Sequence, residues 1–374
     1  MNTSRQAISL FSGCGGDTMG LERAGFKVIA FNEFNKAAMK THELNFPDSK
    51  LILEPKSKSS DIKNVPDAEF ATYTGKADIV FAGFPCQGFS RAGKKEVTDP
   101  RNQMFRQFVR VVKQVRPRFI IGENVVGLTS MKSGPNENDP LMLDIIKNAF
   151  REIGYELTHQ VLEAVNFGVP QKRKRILLVG WDTSRVTTME PTSFWASVNA
   201  YGATKEMPTL RSFVTGSMDG AHLLMTDTKP EGFDTYALPI PEEAEPIGTP
   251  HPFVVLKTNE KLLSCTKRDS PVHSEIVNLD APSKTIICTY DHQPRLLVGL
   301  RKPNGTSYVR CLLPDELKQI QGFPGDFKLH GNKKELVVQI GNAVPPALVE
   351  SVAVTIGKIL YPPRKIKVNV KAKV

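Results

Sequence analysis

The stretch "AISLFSGCGGDTMGLERAGFKVIAFNE", residues 7–33, decides how the rest of the chain is read. "AISLF" is an apolar run of strand length. "SGCGGDTMG" interrupts it with glycines, "LERAGF" fits the helix that follows, and "KVIAFNE" is a second strand ending in Glu33. Strand, glycine turn, helix, strand is the repeating unit of a parallel α/β sheet. Gly13, Gly15 and Gly16 let the backbone approach a ligand closely. Their spacing matches a dinucleotide fingerprint only loosely, since Gly20 falls too far downstream. On its own the turn is either a cofactor loop or simply a tight turn. Glu33 can accept hydrogen bonds from ribose hydroxyls, and Phe34 can stack on an adenine. Asp61 and Ile62 offer a polar and apolar pair suited to the adenine ring and its amine. The plainer roles are a helix cap for Glu33, core for Phe34 and a turn for Asp61.

Outward from this unit the alternation continues. "ADIVFAG" (77–83) reads as a third strand. Residues 102–117 carry Met104, Phe105, Phe108, Val109 and Val112 at helical spacing, and Pro117 ends that helix. "RFIIGENV" (118–125) is another strand with an acid, Glu123, at its end. A helix over 141–155 and strands at "YELTHQVLEA" and "RILLVGW" (175–181) follow. In such sheets ligands bind beyond the carboxyl ends of the strands. The glycine turn, Glu33, Cys86 and Glu123 all fall there. After Trp181 the texture changes: from 182 to about 275 the chain is irregular and rich in Pro, Gly, Thr and Ser, which reads as a smaller domain with much loop. Order resumes near "APSKTIICTY" (281–290). A helix is expected over 312–324, then a short element, a turn and a helix over 333–360, and the tail is basic.

The third strand runs into "GFPCQGFS" (83–90). Pro85 and Gly88 flank Cys86 closely enough to present a bent backbone. A nucleophilic cysteine needs exposure and thiolate character, whereas a cysteine in general is more often buried and inert. The setting favours the nucleophile.

The 374 residues carry 49 Lys+Arg against 39 Asp+Glu, a formal net charge of +10, with a pI near 9.3. That balance favours a polyanionic partner, nucleic acid above all. The five cysteines are scattered without CxxC spacing, so neither a disulfide framework nor a cysteine zinc site is expected, and no metal is called for. A reducing compartment fits. The start "MNTSRQAISLF" lacks the apolar region of a secretory signal, and no membrane span is expected.

Taken together, these segments resemble the DNA (cytosine-5) methyltransferases, of the bacterial or viral modification type, in family order along nearly the whole chain. "LFSGCGGDTMGLERAGF" resembles the cofactor loop, "GFPCQGFS" the catalytic Pro-Cys segment, and "ENV" (123–125) the glutamate motif. "QKRKR" (171–175) resembles the Gln-x-Arg-x-Arg motif. "PSKTI" (282–286), "IQGFP" (320–324) and "QIGNAVPP" (339–346) resemble the last three. The resemblance implies a Rossmann-like S-adenosylmethionine-dependent sheet domain over 1–181 plus 325–374. A smaller, mostly irregular target-recognition domain would lie in 182–324. "QIGNAVPP" would fold back beside the first glycine turn.

Residue by residue, the resemblance makes Cys86 the nucleophile and places Glu123, Arg173 and Arg175 in the catalytic site, with Arg175 near the base oxygen. It places Phe11, Gly13, Gly15, Glu33, Phe34, Asp61, Ile62, Gly83, Pro85, Asn342 and Val344 around S-adenosylmethionine. Gln87, Ser90 and Arg91 would touch DNA from the loop that runs to Arg101. Arg211, Lys257, Asn259, Lys261, Lys267 and Arg268 are candidate readers of DNA bases or phosphates. Two departures stand out: Phe84 where the family often has proline, and Ser60 where it often has glycine before the Asp-Ile pair. Neither removes a reacting group.

The implied activity is methyl transfer to C5 of cytosine in a short duplex sequence, through base flipping and a covalent cysteine–C6 adduct. A separate cognate restriction endonuclease, a monomeric state and a cytoplasmic location, or a nuclear one in a eukaryotic host, go with it. Three competing readings are a transfer-RNA cytosine-5 methyltransferase on the same scaffold, a DNA-binding relative without turnover, and a nucleotide-dependent oxidoreductase. The last rests on the glycine turn alone and leaves Cys86, Glu123 and "QKRKR" without a common purpose.

Overall fold

The computed structural model describes residues 5–85, 104–224, 229, 233–250, 254–257, 262–265, 275–291 and 294–362, with the side chains of 254–257 and 262–265 excepted. Its first half alternates as the sequence implies. β1 (Gln6–Leu10), α1 (Gly16–Arg23), β2 (Lys27–Asn32), α2 (Lys36–Asn45), β3 (Lys50–Leu51), α3 (Asp67–Ala71), β4 (Ile79–Ala82), α4 (Phe105–Val115), β5 (Phe119–Asn124) and α5 (Met142–Arg151) follow in turn. Then come β6 (Tyr155–Glu163), β7 (Gln171–Lys172) and β8 (Lys174–Asp182). Local chemistry sets several boundaries. Asn35 caps α2 by accepting from the Ala38 amide. α4 buries Phe105, Phe108, Val111, Val112 and Val115 on one face and ends at Arg116, whose φ is 54°, just before Pro117.

Seven strands form one sheet in the order β3-β2-β1-β4-β5-β8-β6. β4, all apolar and fully buried, is central, as expected of a parallel strand covered on both faces. The sheet is not wholly parallel, as the alternation implied: β8 runs antiparallel to both β5 and β6. A parallel return would need a crossover of a dozen or more residues, usually a helix. The link 164–173 holds only a short 3₁₀ turn and β7, so the chain comes back antiparallel.

One face packs α3, α4 and α5 through residues such as Phe70, Phe108, Val112 and Phe150. The other is covered by α1, by α6 (Pro191–Gly202) and by the helix Pro346–Leu360. The helix α6 lies in a stretch that reads as irregular in the sequence. Glu190 caps it, accepting from the amides of Thr192 and Ser193. Its Phe194, Trp195 and Val198 sink into the core of the sheet. Twelve residues with only three or four buried leave a weak apolar period, which is why the pattern does not announce a helix.

Beyond α6 the chain builds β9 (His222–Leu224), α7 (Phe233–Tyr236), β10 (Leu238–Pro239), a hairpin of β11 (Val254–Lys257) and β12 (Leu262–Cys265), β13 (Glu275–Ile276), β14 (Ser283–Lys284), β15 (Leu296–Arg301) and β16 (Ser307–Cys311). The second sheet runs β10-β15-β16-β9, with β13 also on β15. Its core joins Leu210, Phe233, Leu297 and Val309 to Leu317 and Ile320 of α8 (Pro314–Ile320) and to Val337 and Ile340 of α9 (Lys333–Asn342). A fully buried bidentate pair, Arg310 with Glu316, also ties the carbonyls of Thr215 and Ser217 to this unit.

α9 and α10 (Pro346–Leu360) together form the apolar stretch Lys333–Leu360, long and apolar enough to cross a membrane by length and composition. No such span was expected from the sequence. Ala343–Pro345 breaks the stretch, and α10 is a core helix of the first sheet, burying Leu348, Val352 and Ile356.

Candidate active site

The glycine turn, Glu33, Gly83–Pro85 and Glu123 all lie at the carboxyl end of the parallel strands, where strand order reverses between β1 and β4. Phe11 and Gly13 both adopt positive φ, 54° and 53°. The glycines then divide their work. A Cβ on Gly16 would strike the Val344 carbonyl, so this glycine admits the "QIGNAVPP" segment against α1. Among the described residues a Cβ on Gly13 would meet nothing within 4 Å, so that side of the turn is open to a ligand. The last motif therefore sits beside the first, with Cys14 also directed at the Gln339 carbonyl.

Glu33 holds the turn in shape. One carboxylate oxygen accepts from the Gly13 amide at 2.7 Å, the other from Asn35 at 2.6 Å. Burial pushes its carboxyl up, and these amides pull it back down. Phe34 beside it is 72% exposed, an aromatic face with no cover. Asn32, which sequence reasoning passed over, donates to the carbonyls of Ile52 and Ser60 and so draws the 59–62 loop toward Glu33. In that loop the Asp61 carboxylate accepts from the Lys63 amide and pairs with its ammonium at 3.3 Å. The Ile62 side chain is buried in the core and its carbonyl accepts from Arg110. Asn342 is exposed at the end of α9, and Val344 is buried.

The second half of the site depends on β8 running backwards. Because it is antiparallel, its first residues lie at the same end of the sheet as the last residues of β5. Arg175 thereby meets Glu123, with Nε to Oε1 at 2.8 Å. Both side chains keep a little exposure, 13% and 12%. Burial raises the Glu123 carboxyl, while Arg175 and then Arg173 lower it. Oε2 of Glu123 lies 3.7 Å from where a Cβ on Gly83 would stand, so the acid borders the Gly83–Pro85 segment. Asn124, the next residue on β5, donates its side-chain amide to the Phe84 carbonyl at 3.0 Å. It anchors the backbone immediately before Pro85. Phe84 itself is core, near the Phe108 ring.

Arg173 acts electrostatically on Glu123, as Arg175 does, but holds no carboxylate among the described residues. It is fully buried and its guanidinium donates to the carbonyls of Ile286, Gly341 and Ala343, each at 2.9 Å. Through these bonds it knits chain segments together. Arg211 pairs with Asp280 on the surface of the second unit at 2.9 Å. Cys86, Gln87, Ser90, Arg91, Asn259, Lys261, Lys267 and Arg268 lie outside the described residues, and Lys257 belongs to β11, whose side chains are not described.

The model of the family "C-5 cytosine-specific DNA methylase" matches residues 5–358. This chain belongs to that family. It is a DNA (cytosine-5) methyltransferase with type II modification enzymes among its relatives. It is 31% identical over 361 residues to the type II methyltransferase M1.HphI of Haemophilus parahaemolyticus, covering 94% of this chain and 86% of the relative. It is 30% identical to M.FnuDI of Fusobacterium nucleatum, covering 98% of each. Among solved structures it is similar in fold to S. pombe Dnmt2 methyltransferase, with a TM-score of 0.62 and 17% identity over 96% of this chain and 99% of that one.

One buried acid of this methyltransferase had not been singled out. Asp17, in the first turn of α1, is 2% exposed and hydrogen-bonds the Ser9 hydroxyl of β1. Burial pushes its carboxyl up to about 7, against the pull of Ser9 and of the Thr18 and Asp17 amides. The folded pKa exceeds the unfolded one, so the folded state holds the extra proton and stability falls as pH rises from about 4 to about 7. Each pKa unit is worth on the order of 1.4 kcal/mol. Asp17→Asn removes that dependence. The variant is expected to gain thermal stability over the parent progressively through this window and to hold a constant advantage above it. Melting curves in matched buffers from pH 4.5 to 8 check this, and parallel curves for the two proteins would refute it.

Proposed function

We propose that Cys86, Glu123 and Arg175 carry out methyl transfer to a cytosine rotated out of duplex DNA, with S-adenosylmethionine held at the glycine turn. The observation that carries this reading is the Glu123–Arg175 pair beside Gly83–Pro85, at the strand ends that also bear the Gly13 turn. The residues fit the cofactor. Gly13 leaves open space, Glu33 brings its carboxylate to the Gly13 amide of the turn, and Phe34 presents a bare ring. S-adenosylmethionine, when bound, supplies an electrophilic methyl group.

The side chains do the rest. The Cys86 thiolate adds to C6 of the cytosine, and the electron pair of the C5–C6 bond is pushed toward C5. Charge developing at N3 and O2 is met by the Glu123 proton and the Arg175 guanidinium. In the resting pair Arg175 offsets part of the rise that burial gives the Glu123 carboxyl. When Arg175 turns to O2 of the incoming base, Glu123 loses its counter-charge inside a buried site and takes up the proton it donates to N3. After methylation the C5 proton leaves to a base, water or side chain, and β-elimination expels the thiolate. Asp61 serves through the shape of its loop.

The unit built on β9, β10, β13, β15 and β16, within the expected 182–324 region, reads the DNA sequence, and the basic balance of the chain supplies phosphate affinity. A cognate endonuclease acting separately and a cytoplasmic location go with the type II relatives, and a monomeric state completes the reading. The test is transfer of labelled methyl groups to duplex DNA and to transfer RNA side by side, with bisulfite mapping of DNA from expressing cells. Modification of C5 within one short duplex sequence is the expected result. Transfer to RNA alone would overturn it.

A further inference from the structure

Four segments far apart in sequence meet in one buried polar node. The Gln171 side chain accepts from the Ile286 amide at 3.0 Å and donates to the Gln321 side chain at 2.5 Å. Gln321 in turn donates to the Ala343 carbonyl at 2.6 Å. Arg173 bonds Ile286, Gly341 and Ala343. Gln171, Arg173 and Gln321 are all fully buried. β14 pairs with β7, Ser283 to Gln171 and Lys284 to Lys172, and the Thr285 hydroxyl donates to the Lys172 carbonyl at 2.8 Å. Gly341 packs so close to the Ile287–Cys288 backbone that no side chain would fit.

The ends of this node lead to functional places. Four residues after Gln171 stands Arg175, paired to Glu123. One residue after Ala343 stands Val344, whose carbonyl rests on Gly16 of the cofactor turn. Ile286 is also part of the core of the second unit.

We infer that Gln171 and Gln321 are positioning residues for methyl transfer: their carboxamides transmit the seating of the second unit to Arg175 and to the glycine turn. This rests on the base-binding role proposed for Glu123 and Arg175. Buried amides make or lose several bonds together, so the node has a seated state and a broken one with little between. A duplex that shifts the second unit shifts β14, and β14 carries β7 and the start of β8 with it. Correct seating sets the Arg175 guanidinium where the base oxygen arrives.

The test uses the full chain. Gln321→Met keeps the volume and removes both bonds. Its kcat per cofactor-binding site, counted by calorimetry, is expected to fall at least about tenfold, with KM for DNA and for S-adenosylmethionine within about threefold. Gln171→Met combined with Gln321→Met should cost no more than the worse single change, because both break one chain of bonds. Thr285→Val loosens the same joint from its partly exposed side without disturbing the core. It should lower kcat about two- to fivefold at an unchanged melting temperature. A Gln321→Met protein that melts lower but turns over normally, together with a Thr285→Val protein of normal kcat, would make the node a structural tie only and overturn the inference. Glu123→Gln run alongside separates the two levels. If that variant keeps full turnover, the base-binding reading itself has failed; if it is inactive while the node variants are normal, only the present inference has.

Discussion

Replacing Glu123 by glutamine is expected to lower the rate of methyl transfer at least about a hundredfold, the scale of losing one positioned proton donor or charge-stabilising group, while DNA affinity changes by less than about threefold. The glutamine keeps the shape beside Gly83 but cannot deliver an acidic proton to N3, and it loses the 2.8 Å ion pair with Arg175. Affinity comes mainly from phosphates and base edges elsewhere, so the loss should fall on kcat. The parent enzyme carries a second signature. Glu123 acts protonated, and burial raises its carboxyl. Activity is thus expected to be retained on the acid side of that raised value and lost as pH rises through it. The glutamine variant should lose this alkaline limb and turn over slowly at every pH. Single-turnover rates across pH, with filter binding of the same duplex, provide the measurement. Equal losses in rate and affinity would assign Glu123 to folding.

Much of this site is legible in the sequence, and the reason is local. Gly13, Glu33, Gly83 and Glu123 each end an apolar run, and the carboxyl end of a parallel strand is a single place in the fold. The "QIGNAVPP" segment is legible through resemblance; its physical ground, the Val344 carbonyl against Gly16, needs three dimensions. What the sequence hides is long-range. An apolar run such as "RILLVGW" does not state its direction, since parallel and antiparallel strands share one side-chain period. Yet direction decides the chemistry: a parallel β8 would start at the opposite end of the sheet and carry Arg175 away from Glu123. The two arginines of "QKRKR" likewise read alike, but Arg173 points at three carbonyls and Arg175 at a carboxylate. Asn124 gave no signal beyond its place in "ENV", because a hydrogen bond to the Phe84 carbonyl links strands 40 residues apart. Burial is hidden in the same way: Ile62 stands in a turn, yet it packs into the core of the first sheet.

Cys86→Ser is expected to abolish methylation altogether while specific DNA binding persists. Cys86 lies outside the described residues, but the segment that delivers it is fixed up to Pro85: β4 is buried, Phe84 is core, and Asn124 holds the Phe84 carbonyl. Serine is close to cysteine in size, so the exchange is chiefly one of chemistry. Its hydroxyl ionises far less readily than a thiol and is the weaker nucleophile at neutral pH. Without attack on C6, C5 stays too electron-poor to accept a methyl group, so transfer should fall below detection even with the base rotated into place. Two measurements decide the matter together. Duplexes carrying 5-fluorocytosine at the mapped position should trap the parent protein as a covalent adduct and the serine variant not at all, while gel-shift affinities for the unmodified duplex agree within about threefold. A serine variant that methylates at the parental rate would show that some other nucleophile opens the reaction, and the role of the strand end at Gly83–Pro85 would have to be reassigned to binding alone.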